Sequence, residues 1–212
     1  MKKIALIASG NFNNLKKFKK ILLTMDYIIC ADGGANNLKK IDLKPNLIVG
    51  DLDSIDKNNL NFFREQNIEF LKFPSAKDST DSELCVDIAI DKKPNEIYMF
   101  GFTGSRLDHT LANINLLKKI NDNNIIGFII DDNNKITIAN KDIKLEYEDY
   151  YKYISFISLK ESSKITLKGL KYPLKEYILK QDSTICISNE FDDKNAQIKI
   201  NDGLVLIIKS RD

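Results

Sequence analysis

Along the first two thirds of the chain, short apolar runs alternate with stretches of helical period. Ile4-Ala5-Leu6-Ile7-Ala8, Tyr27-Ile28-Ile29-Cys30-Ala31, Leu47-Ile48-Val49, residues 68–71, Ile97-Tyr98-Met99-Phe100 and residues 125–130 read as buried strands. Residues 15–25, 57–66, 82–91 and 110–121 carry the helical period between them. Strand, loop and helix repeated in this way predict an α/β fold: βαβ crossovers and a mostly parallel sheet with helices on both faces.

Near residue 140 the period changes to two. Lys164-Ile165-Thr166-Leu167, Thr184-Ile185-Cys186-Ile187 and Gln197-Ile198-Lys199-Ile200 alternate polar and apolar positions, which predicts antiparallel strands with one face buried. Asp202-Gly203, between two such runs, reads as a tight hairpin turn, because the turn needs positive φ and glycine supplies it at little cost. The expected organisation is therefore an α/β domain over residues 1–140 and an antiparallel β domain over 141–212.

Composition narrows the function classes. The 32 Lys+Arg nearly balance the 30 Asp+Glu, so neither nucleic acid nor an anionic membrane is an expected partner. No apolar run approaches the roughly 18 residues of a membrane span, and the apolar start is too short for a signal peptide. Three cysteines, scattered without a Cys-x-x-Cys pair, fit a reducing, cytoplasmic compartment. With His109 as the single histidine there is little material for a zinc site. A metal, if bound, would be a hard cation on carboxylates.

Open parallel sheets bind ligands beyond the carboxyl ends of their strands. Four acidic or glycine-rich loops fall there: Ala31-Asp32-Gly33-Gly34-Ala35-Asn36, Gly50-Asp51-Leu52-Asp53-Ser54, Lys77-Asp78-Ser79-Thr80-Asp81, and the stretch from Gly101 through Gly104, Arg106 and Asp108 to His109. Singly, each aspartate reads equally as a solvated turn residue. Together their charges repel by roughly 1–4 kcal/mol per close pair, and divalent magnesium bridging carboxylates and substrate phosphates is the natural counterion. Gly33, Gly34 and Gly104 allow backbone to approach a polyphosphate. Neither a dinucleotide fingerprint nor a P-loop is present. Thr80-Asp81-Ser82-Glu83 also matches a helix capping box, so Thr80 reads equally as a cap and as a contact to the nucleotide, while Asp81 has no capping duty. Arg106 can grip phosphate oxygens or form a surface ion pair with Asp108. His109 can serve as a base or hydrogen-bond near a helix start.

In order and spacing these four loops resemble the thiamine pyrophosphokinase family, and Gly169-Leu170-Lys171-Tyr172-Pro173-Leu174 and Ser188-Asn189-Glu190-Phe191 resemble its C-terminal signatures. The resemblance implies a Rossmann-like α/β domain followed by a β-sandwich, in a homodimer whose active sites lie between subunits. It implies transfer of the diphosphate of ATP to the hydroxyl of thiamine, with Mg²⁺ as cofactor. By the same resemblance Asp51, Asp53 and Asp81 hold the metal. Asp32, Asp78 and the glycine loops face the polyphosphate, Arg106 and Asp108 complete the catalytic set, and Tyr172, Ser188, Asn189 and Glu190 form the thiamine pocket. Two departures stand out: the chain has no tryptophan to cover thiamine, leaving Tyr172 or a phenylalanine to stack, and Ser105 replaces a glycine beside the arginine. From the residues alone, a diphosphokinase for another alcohol such as a hydroxymethylpterin, and a non-catalytic nucleotide- or thiamine-binding module, remain alternatives.

Overall fold

The computed structural model describes residues 2–74 and 79–212 and divides into two compact units, Met1–Asp132 and Asn133–Asp212. In the first unit β1 (Lys3–Ile7), β2 (Tyr27–Ala31), β3 (Leu47–Gly50), β4 (Glu69–Lys72), β5 (Glu96–Phe100) and β6 (Ile126–Ile130) run in the order β4-β3-β2-β1-β5-β6. Each described neighbour pair is parallel. Alternation along β1 sends Ala5 and Ile7 into a core with Phe18 and Leu22 of α1 (Leu15–Leu22), Ala35 and Leu38 of α2 (Gly34–Lys40) and Phe63 of α3 (Lys57–Glu65). The opposite face is covered by α4 (Asp81–Asp91), against β1, β2 and β3, and by α5 (Leu107–Asp122), against β6. Each fully buried Phe or Leu there stabilises the fold by about 1.5–3 kcal/mol.

Sequence periodicity misses α2 because it is short, begins on glycine and carries Asn36 and Asn37 between its apolar contacts. What fixes α2 is close packing: a Cβ at Gly34 would lie 2.1 Å from the Ile7 carbonyl oxygen, so only glycine lets this helix start approach β1.

The second unit contains β7 (Asn134–Ala139), β8 (Ile143–Glu146), β9 (Tyr153–Ser158), β10 (Ser162–Lys168), β11 (Leu174–Lys180), β12 (Asn195–Asp202) and β13 (Val205–Ser210). β13 pairs antiparallel with β7 and β9, and a second antiparallel sheet runs β11-β10-β12-β8. Phe156, Val205 and Ile207 from the first sheet meet Ile165, Leu167 and Ile198 from the second in one core, which gives the expected β-sandwich. The units divide at Asp132/Asn133, some residues before 140, because Asn134–Ala139 belongs to a ladder with Val205–Ser210.

Three local expectations are corrected. Residues 68–71 do not form a buried strand: β4 is the edge of its sheet, with Glu69, Leu71 and Lys72 exposed and Phe70 half-buried. Asp202-Gly203 does not close a hairpin: β12 and β13 lie in different sheets, and Gly203 turns the corner between them. Its φ of +122° and the 2.2 Å from an added Cβ to Ser163 Oγ show why glycine is required. The buried Ser163 hydroxyl accepts the Leu204 N–H at 3.2 Å and so fixes the corner. Residues 184–187 are not a strand but a turn closed by the Ile187 N–H on the Thr184 carbonyl. Cys186 is buried while Ile185 and Ile187 are exposed, so the alternation in burial persists without a ladder.

Candidate functional site

The carboxyl edge of the parallel sheet gathers the acidic loops. Asp32 follows β2 with φ 25°, is 4% exposed, and accepts the Ser54 N–H on Oδ2 at 3.0 Å. Gly50 ends β3 at φ +145°, where an added Cβ would lie 2.9 Å from Asp32 Cβ and 3.3 Å from Asp81 Oδ1. That glycine lets the β2 loop, the β3 loop and the start of α4 converge. In the β3 loop Asp51 Oδ1 accepts the Asp53 N–H at 3.3 Å, and Asp53 Oδ1 accepts the Ser54 hydroxyl at 2.8 Å. One carboxylate oxygen from each of Asp32, Asp51 and Asp53 lies within 4.8 Å of the others. Asn36 on α2 braces the loop, donating to Ser54 O at 3.1 Å and accepting the Asp56 N–H at 3.1 Å.

Burial raises the Asp32 carboxyl above its ordinary range; Ser54 opposes the shift through hydrogen bonding, and the charges of Asp51 and Asp53 add to it. Asp32 Oδ1 is buried without a hydrogen-bond partner among the described residues. An orphaned carboxylate oxygen beside two further aspartates is the donor set of a hard, oxygen-seeking cation. These residues therefore fit magnesium. Sequence reasoning assigned Asp32 to the polyphosphate, whereas in space it groups with Asp51 and Asp53; Asp81 adjoins them across Gly50.

Thr80 is the N-cap of α4, its hydroxyl accepting the Glu83 N–H at 3.2 Å. The helix thus opens beside the acidic loops with its first-turn amides and positive dipole end at that edge. Lys77 and Asp78 lie outside the described residues.

The strand order places β1 beside β5, so the chain winds away in opposite directions from that point, where open sheets carry a crevice. A cleft of ≈ 330 Å³ sits there between Ser9-Gly10 after β1 and the loop from Gly101 to Arg106 after β5, with Ser82 and His109 also on its wall. It adjoins the acidic loops, since a Cβ at Gly33 would stand 3.3 Å from that of Ser9. Gly104 has nothing within 4 Å of an added Cβ and leaves the mouth open. Ser105 lies outside the positive-φ set, so its replacement of glycine costs the backbone nothing.

Arg106 and Asp108 form an exposed two-point ion pair, Nη2 to Oδ2 at 2.6 Å and Nε to Oδ1 at 3.2 Å. That hydrogen bonding, together with the His109 N–H, lowers the Asp108 carboxyl to about 2 and raises the guanidinium. Asp108 and His109 also line a neighbouring groove of ≈ 350 Å³ with Thr80, Ala112 and Leu116. Ser9, Gly10 and Asn113 escaped the sequence reading because they carry no charge. For Ser9 and Gly10 the one available signal was position, a loop directly after the buried strand β1, whereas Asn113 reaches the cleft from within α5.

In the second unit Asn189 is 3% exposed, and its side chain is committed to the protein. Oδ1 accepts the N–H groups of Tyr172 at 3.0 Å and Glu190 at 2.9 Å, and Nδ2 donates to the Tyr172 carbonyl at 2.8 Å. The Ser188 N–H donates to Ser155 Oγ at 3.0 Å with Ser188 at φ 57°. Glu190 pairs with Lys171 at 3.2 Å, and the Tyr172 ring stands 59% exposed. Asn189 is thus the clamp that presents Tyr172 and Glu190.

Comparison with known proteins gives the family and the fold. The family model described as "Thiamin pyrophosphokinase, catalytic domain" matches residues 18–129, and that described as "Thiamin pyrophosphokinase, vitamin B1 binding domain" matches residues 140–205. The chain is 33% identical over 214 residues to the thiamine pyrophosphokinase of Bacillus subtilis (strain 168), covering all of both. The crystal structure of a thiamine pyrophosphokinase from Bacillus subtilis superimposes with a TM-score of 0.90 at 32% identity over the whole of both chains. A thiamin pyrophosphokinase from Geobacillus thermodenitrificans does so with a TM-score of 0.86 at 27% identity, over 99% of this chain and 98% of that one. With acidic loops converging beside the switch point of an α/β sheet, a β-sandwich after it, and family matches across both, the chain belongs to the thiamin pyrophosphokinase family.

Proposed function

We propose that this protein transfers the diphosphate of ATP to the hydroxyl of thiamine, giving thiamine diphosphate and AMP. The observation that carries the reading is the grouping of Asp32, Asp51 and Asp53, with Asp81 across Gly50, beside a cleft at the β1/β5 switch point. Asp51, Asp53 and Asp81 would hold magnesium, with Asp32, whose Oδ1 is buried without a partner among the described residues, beside them. When bound there, the metal supplies positive charge against the ATP phosphate oxygens. ATP occupies the cleft, with Gly33, Gly34, Gly104 and the start of α4 near its phosphates. Arg106, already oriented by Asp108, binds phosphate oxygens and stabilises charge as it builds on them. The thiamine oxygen attacks the β-phosphorus, the bond from that phosphorus to the bridging oxygen of the α-phosphate breaks, and AMP leaves with the electron pair. The hydroxyl proton departs through His109 or water.

Tyr172, Ser188 and Glu190 present the thiamine pocket under the clamp of Asn189, and Tyr172 takes the stacking role in a chain without tryptophan. The functional particle is a homodimer with sites completed between subunits, working in the cytoplasm, in keeping with three buried cysteines that form no disulfide. Among the described residues no helix is long and apolar enough to cross a membrane.

The reading is tested by AMP formation from ATP and Mg²⁺ with thiamine, with a hydroxymethylpterin, and with neither. Thiamine-dependent AMP matched by thiamine diphosphate is the expected result. Pterin-dependent AMP instead would move the substrate, and thiamine binding without AMP would replace the enzyme with a binding module. Light scattering checks the dimer, with twice the chain mass expected.

A further inference from the structure

Two carboxylates directly after β6, Asp131 and Asp132, have no part in the chemistry above, and neither lines the cleft. Both are nevertheless tied to its walls. Asp132 Oδ1 accepts the N–H groups of Asn14 at 2.7 Å and Asn13 at 3.2 Å, and Oδ2 accepts Asn13 Nδ2 at 2.7 Å. One side chain thereby holds the loop that follows β1. Asp131, 8% exposed, accepts the hydroxyl of the equally buried Thr103 on Oδ2 at 2.9 Å, which holds the loop that follows β5.

The two loops are also joined to each other. The Asn11 N–H donates to the Thr103 carbonyl and the Gly10 N–H to the Gly101 carbonyl, each at 2.8 Å. A Cβ at Gly10 would lie 2.2 Å from the Thr103 carbonyl oxygen, so the loops touch with no slack. Lys17 of α1 donates to the Asp131 carbonyl at 3.1 Å, and Asn14 caps the same helix by accepting the Lys17 N–H at 3.1 Å.

We propose that Asp131 and Asp132 are positioning residues for the nucleotide: they cross-brace the β1 and β5 loops and so set the spacing of the cleft walls that receive ATP. The inference rests on the reading of that cleft as the ATP site. It separates two substrates, because Asp132 anchors the loop after β1 through Asn13 and Asn14; its loss is expected to loosen residues 9–14 and to act on the nucleotide more than on thiamine.

The test uses full-length Asp132→Ala, Asp132→Asn and Thr103→Val, each checked for a cooperative thermal melt, with KM measured for Mg-ATP and for thiamine. Asp132→Ala is expected to raise the ATP KM about tenfold, as the loss of charge-assisted hydrogen bonds implies, with the thiamine KM changed less than about twofold. Asp132→Asn keeps an oxygen for both backbone donors and is expected to stay within about threefold of the parent. Thr103→Val, nearly isosteric, carries the same readout should the alanine variant not fold: a raised ATP KM with thiamine unchanged is expected. An unchanged ATP KM, equal rises for both substrates, or an asparagine variant as impaired as the alanine one overturns the inference. Calorimetry of Mg-ATP alone on parent and Asp132→Ala keeps the two readings apart. A parent that binds Mg-ATP without thiamine turnover removes the substrate assignment, while equal Mg-ATP affinity in the two proteins removes the brace.

Discussion

Asp32 in the α/β unit and Asn189 in the β-sandwich are buried to the same degree, 4% and 3% exposed, and each lies in a loop after or between strands. Their hydrogen-bond accounts are opposite. Asn189 engages Tyr172 on both sides and Glu190 besides, so the sandwich loop is internally satisfied. Asp32 leaves Oδ1 unpartnered among the described residues and sits at a positive φ next to two further carboxylates. A satisfied buried polar group marks a scaffold. An orphaned one, in strained backbone, marks a place that a ligand completes. One unit therefore supplies unsatisfied charge and the other a preformed shape.

The largest expected effect falls on the charged side. Asp53→Asn removes charge from an exposed loop while keeping its size, so the fold should persist while turnover falls by about 10²–10³-fold or more. Circular dichroism beside an AMP assay checks both, and near-parental turnover would remove Asp53 from the metal set. Asn189→Ala tests the shaped side. It strands the N–H groups of Tyr172 and Glu190 and the Tyr172 carbonyl, and should cost about 1–3 kcal/mol in denaturant unfolding. The thiamine KM should rise more than the ATP KM.

Asp32→Asn then separates the two units by sign. The folded-state carboxyl of Asp32 stands above its unfolded value. Its protonated form favours the fold below the unfolded value, and that contribution is lost as pH rises through the folded value, so the charged group opposes folding near neutrality. Removing the charge should raise the Tm of the metal-free protein on the order of 2–4 °C while abolishing activity. Mg²⁺ should stabilise the parent and not the variant. Asp108 gives the smallest effect. Its carboxyl, held at about 2 by Arg106, stays ionised at every working pH, and whatever stability the pair adds is lost only as pH falls toward that value. The pH–rate profile between 6 and 9 should show no step that Asp108→Asn removes.

How far the sequence revealed this molecule depended on the kind of signal. The buried parallel strands β2 and β3 stand out as continuous apolar runs, and their ends locate Asp32, Asp51 and Asp53; Asp81 is found by its place after the capping Thr80, since the strand before it, β4, is an exposed edge. Turn chemistry was less discriminating, because Asp202-Gly203 suits a hairpin and a sheet-to-sheet corner alike, and Ser163, which decides between them, is distant in sequence. Residues 184–187 alternate in burial because Cys186 docks inward from a turn. The cleft walls at Ser9, Gly10 and Thr103 and the braces at Asp131 and Asp132 rest on contacts across β1, β5 and β6, which only the strand order brings together.

The claim that the acidic strand ends are built for a cation is tested most directly by calorimetry of Mg²⁺, with a non-hydrolysable ATP analogue present, on the parent, Asp32→Asn and Asp53→Asn. Saturable binding to the parent, weakened at least about tenfold in both variants, is the expected result. Equal affinity in all three would contradict the account and return these aspartates to the role of solvated turn residues.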